Sequence, residues 1–184
     1  MNEFEIQQLA EAISFAARAH QGHLRKDGRT PYMAHPMRVM TILATEFGVE
    51  DRETLAAAVL HDTIEDTRTD HDDLTEQFGP RVADWVAALS KDTRLAEGER
   101  EREYLAALAA APIEVKLCKL GDIYDNLSDC ATLEAKGRRR QIDRAKEVLG
   151  AFEPLFPERW MHVLKLVADQ VAVAERADSC DDRR

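Results

Sequence analysis

The run Thr54-Leu-Ala-Ala-Ala-Val-Leu60 narrows most sharply what this chain can become. It contains no glycine or proline and is apolar almost throughout, so it predicts a helix buried in a core. No breaker separates it from His61-Asp62-Thr-Ile-Glu65-Asp66. If the helix continues, residues four apart share a face, which places His61 over Glu65 and Asp62 over Asp66. One imidazole and three carboxylates then stand within a turn at the edge of a core. Uncompensated carboxylates in such a place are costly, and a cation is the usual remedy. Acids that merely cap a polar helix end are the plainer reading of this run alone.

The rest of the chain supports a helical core for that segment to enter. No stretch sustains the period-2 alternation of a strand, and helical spacing recurs between Gly, Pro and polar turns. Helices are expected over 3–20, from Pro36 to Phe47-Gly48, from an Asp51 cap onward, over 71–78, 82–89 and 99–110, from Pro112 through Asp122 and Asn126, and over 134–149 and 157–176. Residues 21–34 read as a loop rich in glycine and charge. The fold class is therefore all-α: one compact domain over 1–178, with its metal site between helices, and a polar tail over 179–184.

Charge narrows the partners. The chain has 184 residues and a formal net charge of −10, with a pI near 5.1. A chain so acidic is poorly suited to gripping nucleic acid through its phosphates. There is no 18-residue apolar span to place it in a membrane. The three cysteines, Cys118, Cys130 and Cys180, lack metal-ligand spacing, and a reducing cytoplasmic compartment is the expectation. The basic residues nevertheless gather: Arg25, Lys26 and Arg29 precede His35, Lys116 and Lys119 precede Asp122, and Arg138, Arg139, Arg140 and Arg144 follow it. Local positive charge in an acidic chain points to a small polyanion, though solvated helix ends account for Arg138–Arg140 equally well.

His35, in Pro-Tyr-Met-Ala-His-Pro, and Asp122, in Lys-Leu-Gly-Asp-Ile-Tyr-Asp-Asn, complete an ordered pattern H…HD…D with His61 and Asp62. Two imidazoles and two carboxylates from three segments suit a divalent first-row metal and leave positions for water and substrate. His20, His23, His71 and His162 are read as histidines outside the ligand set. His71, the lone histidine between the His-Asp pair and Asp122, sits in an acidic turn, which favours one ion. A P-loop is excluded by the missing lysine and strand, and no nucleophile stands beside a histidine at a strained turn.

These motifs, with Gln21-Gly-His-Leu-Arg-Lys-Asp-Gly leading to Pro31, resemble the HD metal-dependent phosphohydrolases over roughly residues 8–150. Within them the chain looks like the RelA/SpoT-type hydrolase domain, which removes the 3′-pyrophosphate of guanosine tetra- and pentaphosphate. The resemblance implies an HD-domain helical fold and one Mn²⁺, or another first-row divalent ion, held by His35, His61, Asp62 and Asp122. Glu65, Asp66 and Asn126 would serve the chemistry, the acids orienting or deprotonating water and the amide holding water or a ribose oxygen. Arg25 and Lys26 would lie against the base, and Lys119, Arg140 and Arg144 would take phosphates. The expected reaction is hydrolysis of (p)ppGpp, or its adenosine counterpart (p)ppApp, to a 5′-di- or triphosphate and pyrophosphate. The length of the Lys26–Tyr32 loop resembles that of stand-alone alarmone hydrolases, and the chain leaves no room for a synthetase domain. A tyrosine expected near 144–146 is replaced by Arg144, Ala145 and Lys146, which leaves the base and the 5′-phosphate contacts open. Removal of the NADPH 2′-phosphate by the same site, or a nucleotide-binding module without turnover, are the alternatives. Oligomeric state is not legible.

Overall fold

The computed structural model describes residues 3–92, 94–130 and 133–181, with side chains from 6 to 178. Its helices are α1 (Glu3–Ala19), α2 (Ala34–Thr45), α3 (Arg52–Leu60), α4 (Thr63–Asp66), α5 (His71–Phe78), α6 (Pro80–Leu89), α7 (Glu97–Ala110), α8 (Ile113–Ser128), α9 (Ala135–Phe152) and α10 (Met161–Asp181). Among the described residues there is no strand, only an isolated bridge between Leu24 and Pro31 in the loop before α2.

Two helices form the centre. In α3 every residue from Thr54 to Leu60 is buried, because the helix is surrounded by α1, α2, α6 and α8. Asp51 caps it by accepting from the Thr54 N–H at 2.9 Å, as its sequence position requires. The second central helix is α8, whose close approach to α2 rests on Gly121. A Cβ at that position would lie 2.3 Å from Leu43 Cδ1 and 3.2 Å from Val39 Cγ1, and both of those side chains are fully buried. Glycine thus brings α2 against α8, and with them His35 opposite Asp122.

Three expectations need correction. The helix that begins at Arg52 does not run to Asp66; it stops at Leu60 and a new turn starts at Thr63. His61 Nδ1 lies 2.8 Å from the Ala58 carbonyl and the Thr63 hydroxyl donates to that of Leu60 at 2.7 Å. Side chains thus serve the last carbonyls of α3 and compete with helix continuation, while Asp62 swings to φ −100°, ψ 0°. His61, Asp62, Glu65 and Asp66 therefore occupy two short pieces meeting at a kink, not one helix face. The second correction is α7, which starts at Glu97 rather than 99. Gly98 is tolerated in its first turn, where Glu97 and Glu99 face the positive end of the helix dipole.

Third, the last helix, α10, runs over Met161–Asp181 rather than over 157–176. Asp178 anchors it to α9 by accepting from Arg138 and Arg139 at 3.0 Å each. Residues 182–184 and the side chain of Cys180 lie outside the described set, whereas Cys118 and Cys130 are buried free thiols. No described helix is long and apolar enough to cross a membrane.

Candidate active site

The joint between α3 and α4 faces the start of α2 and the middle of α8, and four donor side chains meet there. His35 Nε2, His61 Nε2 and an Asp62 oxygen lie within 4.8 Å of one another. Asp122 Oδ1 completes the group at 3.2 Å from His35 Nε2 and 3.9 Å from His61 Nε2. The kink at Asp62 does not scatter the motif; it turns His61 and Asp62 inward together.

Each donor is held from behind. Asp125 takes His35 Nδ1 at 2.6 Å and is itself gripped by Arg38 at 2.5 and 3.0 Å. Burial pushes the Asp125 carboxyl up, but His35 and Arg38 outweigh it and keep the group below its ordinary value. An ionised carboxylate only accepts, so Nδ1 of His35 carries a proton and Nε2 is the nitrogen left for an ion. The Ala58 carbonyl fixes His61 in the same tautomer. Its buried Nε2 has no hydrogen-bond partner, although Asp62 Oδ2 is 2.9 Å away. Two inward imidazole nitrogens, one of them buried without a hydrogen-bond partner, and two carboxylates fit a divalent first-row metal once the imidazoles are neutral.

Charge follows the same pattern. Burial alone would raise both acids, but His61 first of all brings Asp62 to about 2, and Lys119 with the two imidazoles holds Asp122 well below its usual range. For His61 burial works downward and is overcome by Asp62 and Asp122, which hold the imidazole at about 9. The Tyr32 hydroxyl donates to Asp62 at 2.6 Å, and burial followed by the Asp62 charge keeps that phenol protonated.

Glu65 and Asp66 stand beside the cluster in the same cavity, whose volume is about 330 Å³. Glu65 is fixed by the backbone N–H of Lys91 at 3.1 Å. Both carboxyls are raised above their ordinary values, in each case by burial first and by the Asp62 charge in the same direction. Asn126, one turn after Asp122 on α8, donates through Nδ2 to Asp122 Oδ1. Its other end accepts from Arg25 at 3.2 Å, so the amide has one orientation.

The basic residues divide. Lys119 donates to Asp122 Oδ2 at 2.7 Å and, like Lys26, lines the cavity. Arg25 also touches the cavity, but its guanidinium is committed to Asn126 and to Asp129 at 3.2 Å, over the Tyr32 ring. Arg144 reaches the adjoining pocket and donates to Glu101. Arg140 is not brought to either pocket: one turn earlier on α9, it points to Glu97 at 2.8 Å. His71 pairs with Asp84 at 2.8 Å, away from the site, and His162 meets the Phe47 carbonyl at 3.2 Å. His20 is buried against Tyr32 with both ring nitrogens unpartnered, and burial, the first of its causes, lowers it to about 4.

Sequence reasoning missed Asp125, Arg38, Gln141, Tyr104 and Glu101. Asp125 was findable, since a third acid at i+3 from Asp122 shares its helix face. Gln141, with its amide turned to donate to the Asn126 carbonyl at 3.0 Å, accepts from Lys26 at 3.1 Å. Nothing local marks it or the α7 residues, because their partners lie on other helices.

A family profile described as an HD domain matches residues 12–159. The chain is 42% identical over 126 residues to the human guanosine-3′,5′-bis(diphosphate) 3′-pyrophosphohydrolase MESH1, covering 68% of this chain and 70% of that protein. The zebrafish (Danio rerio) enzyme of the same name is 40% identical over 122 residues, with 66% and 68% covered. Similarity to the bifunctional (p)ppGpp synthase/hydrolase SpoT of Escherichia coli K12 is 36% over 176 residues, which is 92% of this chain but 24% of that one. Among solved structures, one described as a metazoan ortholog of SpoT that hydrolyses ppGpp superposes with a TM-score of 0.77 at 30% identity, covering 89% of this chain and 95% of that one.

Proposed function

We propose, from the premise that this chain belongs to the HD-domain family, that it is an alarmone hydrolase removing the 3′-pyrophosphate from (p)ppGpp, (p)ppApp or both. The observation that carries this reading is the pairing of an inward His-His-Asp-Asp cluster with two raised carboxyls in one cavity. The named activity of the 40–42% identical relatives supports it.

His35, His61, Asp62 and Asp122 are the residues that would hold one ion, and we take it to be manganese. When bound, such an ion acidifies water and neutralises phosphoryl charge. One of Glu65 and Asp66 orients the attacking water or receives its proton, a role suited to carboxyls whose affinity for a proton is raised. The Lys91 N–H keeps the Glu65 carboxylate in place. Asn126, fixed by Arg25, faces the ribose. Lys26, Lys119, Lys91 and Arg144 form the positive wall for the phosphates, whereas Arg140 is left out of it. The water oxygen bonds to the phosphorus carried by the ribose 3′-oxygen. The bond from that phosphorus to the 3′-oxygen breaks, the 3′-oxygen takes up the proton that the carboxyl accepted and leaves as the hydroxyl, and pyrophosphate departs intact. The substrate is a small nucleotide, and we place the reaction in the cytoplasm.

Incubation of the Mn²⁺-loaded protein with ppGpp, ppApp and NADPH, read by product identity, tests the reading. GDP or ADP and pyrophosphate in equal amounts are expected, with oxygen-18 from water in the pyrophosphate. Orthophosphate as the first product, with a nucleoside 3′-monophosphate left behind or NADPH alone consumed, would make the site a simple phosphatase.

A further inference from the structure

We propose that Glu101 is a built-in competitor of the substrate's phosphates: its carboxylate occupies the cation pair Lys91–Arg144 until a polyphosphate displaces it. This rests on the reading of the cavity as a polyphosphate site.

Glu101 lies on α7 in the wall of the pocket that adjoins Asp122. Lys91 Nζ is 2.9 Å from both of its oxygens, and Arg144 Nη2 is 3.0 Å from Oε1. An ammonium and a guanidinium closing on one pair of anionic oxygens is the arrangement by which Lys and Arg hold phosphate. No other carboxylate among the described residues is shown paired with either cation.

Of the remaining cations at the cavity, Lys26 meets the Gln141 amide oxygen at 3.1 Å rather than a carboxylate, and Arg25 is held by Asn126 and Asp129. Lys119 is committed to Asp122 inside the cluster, and Arg140 points away to Glu97. Lys91 and Arg144 are thus the cations that this side of the cavity can release, and Glu101 decides when they are released. The exchange is easy in energy. Side-chain exposures of 32% for Glu101 and 41% for Arg144 leave that end of the cluster partly in water, with Lys91 at 18% the more enclosed cation, so solvent weakens the Glu101–Arg144 contact. A carboxylate brings one negative charge, whereas a terminal phosphate brings about −1.5 to −2. The Lys91 backbone N–H that holds Glu65 is separate from this side-chain exchange, so the exchange acts on binding rather than on the chemical step.

A plain fastening role for Glu101, joining α7 to α9, makes the opposite prediction. E101Q keeps the size and one accepting oxygen and removes the charge. In the full Mn²⁺-loaded chain we expect its KM for ppGpp to fall by about 3- to 10-fold, with kcat moved far less. E101A, which adds no polar group, must move KM the same way. E103Q removes the same charge from an exposed position on the same helix and should leave KM unchanged. Adding Lys91→Met to E101Q should cancel the gain. Sulfate at constant ionic strength, followed by thermal shift, should bind E101Q more tightly than the parent, and this reading needs no turnover. Should the parent hydrolyse none of the nucleotides, the proposed function fails, and the sulfate titration alone decides the role of Glu101. A KM that is unchanged or raised in both Glu101 variants, an equal fall in E103Q, or equal sulfate affinity would overturn the proposal.

Discussion

On the floor of the cavity, His35, His61 and Asp122 are buried and held from behind by Asp125, the Ala58 carbonyl and Lys119. Farther out, at the rim, Arg144 in the adjoining pocket and Arg140 beyond it stand about half in water and, among the described residues, pair with the acids of α7. Both regions pair opposite charges at similar distances, yet the physics differs. Desolvated charges on the floor cost several kcal/mol each unless geometry and a cation compensate them, so the floor must be built to one shape. The rim pairs contribute little and exchange with water and solutes. A rigid floor suits an ion that stays, and an exchangeable rim suits a substrate that comes and goes.

The severest test of this contrast is to remove a floor donor. Asp122→Ala or His61→Ala should abolish metal binding and, with it, turnover. Metal analysis of the purified protein should return close to one Mn²⁺ per chain before the change and none after it. Retention of the ion by Asp122→Ala would show that the floor is not the metal site.

Next in size are the acids beside the floor. Glu65→Ala and Asp66→Ala should each lower kcat by about 10²- to 10⁴-fold, the range for losing a general acid–base group, while metal content stays near normal. Loss of the ion from Asp66→Ala as complete as from Asp62→Ala would move Asp66 into the ligand set.

The two regions also differ in how much of them can be read from the chain. His61-Asp62 and Glu65-Asp66 are legible because an apolar helix runs directly into them, and Asp122 and Asn126 because i and i+4 share a face. The kink at Asp62 is not legible, because it depends on side chains of His61 and Thr63 capturing carbonyls of α3. Arg140 and Arg144 look equivalent in sequence, one turn apart in the same helix. Only the path of α7 shows that one reaches the pocket adjoining the cavity and the other does not. Arg25 reads as a base contact, and its commitment to Asn126 and Asp129, about a hundred residues later, leaves no local trace.

Asp125 sharpens the contrast from the floor side. It touches His35 and not the donor centre, so Asp125→Asn should weaken Mn²⁺ by about 10- to 100-fold without changing the number of ions bound. Titration by calorimetry reads this directly, and an unchanged affinity would mean that His35 needs no support.

The pH dependence of metal uptake follows from His61. In the cation-free protein its pKa is raised from 6.5 to about 9. A raised value gives stability that is complete below pH 6.5 and lost as pH rises through about 9. The ion must expel that proton from Nε2. Apparent Mn²⁺ affinity should therefore climb by up to about tenfold per pH unit below 9 and then level off. Affinity that stays flat between pH 7 and 9 would contradict the charge balance described for the floor.

The smallest effect belongs to the rim. Arg140 is 59% exposed and its partner Glu97 68%, so their 2.8 Å contact lies in water. Such a pair contributes about 0–1 kcal/mol, and Arg140 is not among the residues lining the cavity. Arg140→Ala should accordingly change KM for ppGpp by less than about fivefold and leave kcat and metal content alone. Arg144→Ala removes a cation from the wall of the adjoining pocket and should raise KM more. Side-by-side kinetics at low and moderate salt separate the two, since a contact to phosphate weakens steeply as screening increases. If Arg140→Ala raised KM more than Arg144→Ala, the substrate would extend beyond the wall and its phosphates would be gripped by the outermost exposed pair. The division between a rigid floor and a half-wet rim would then have to be redrawn one helical turn earlier on α9.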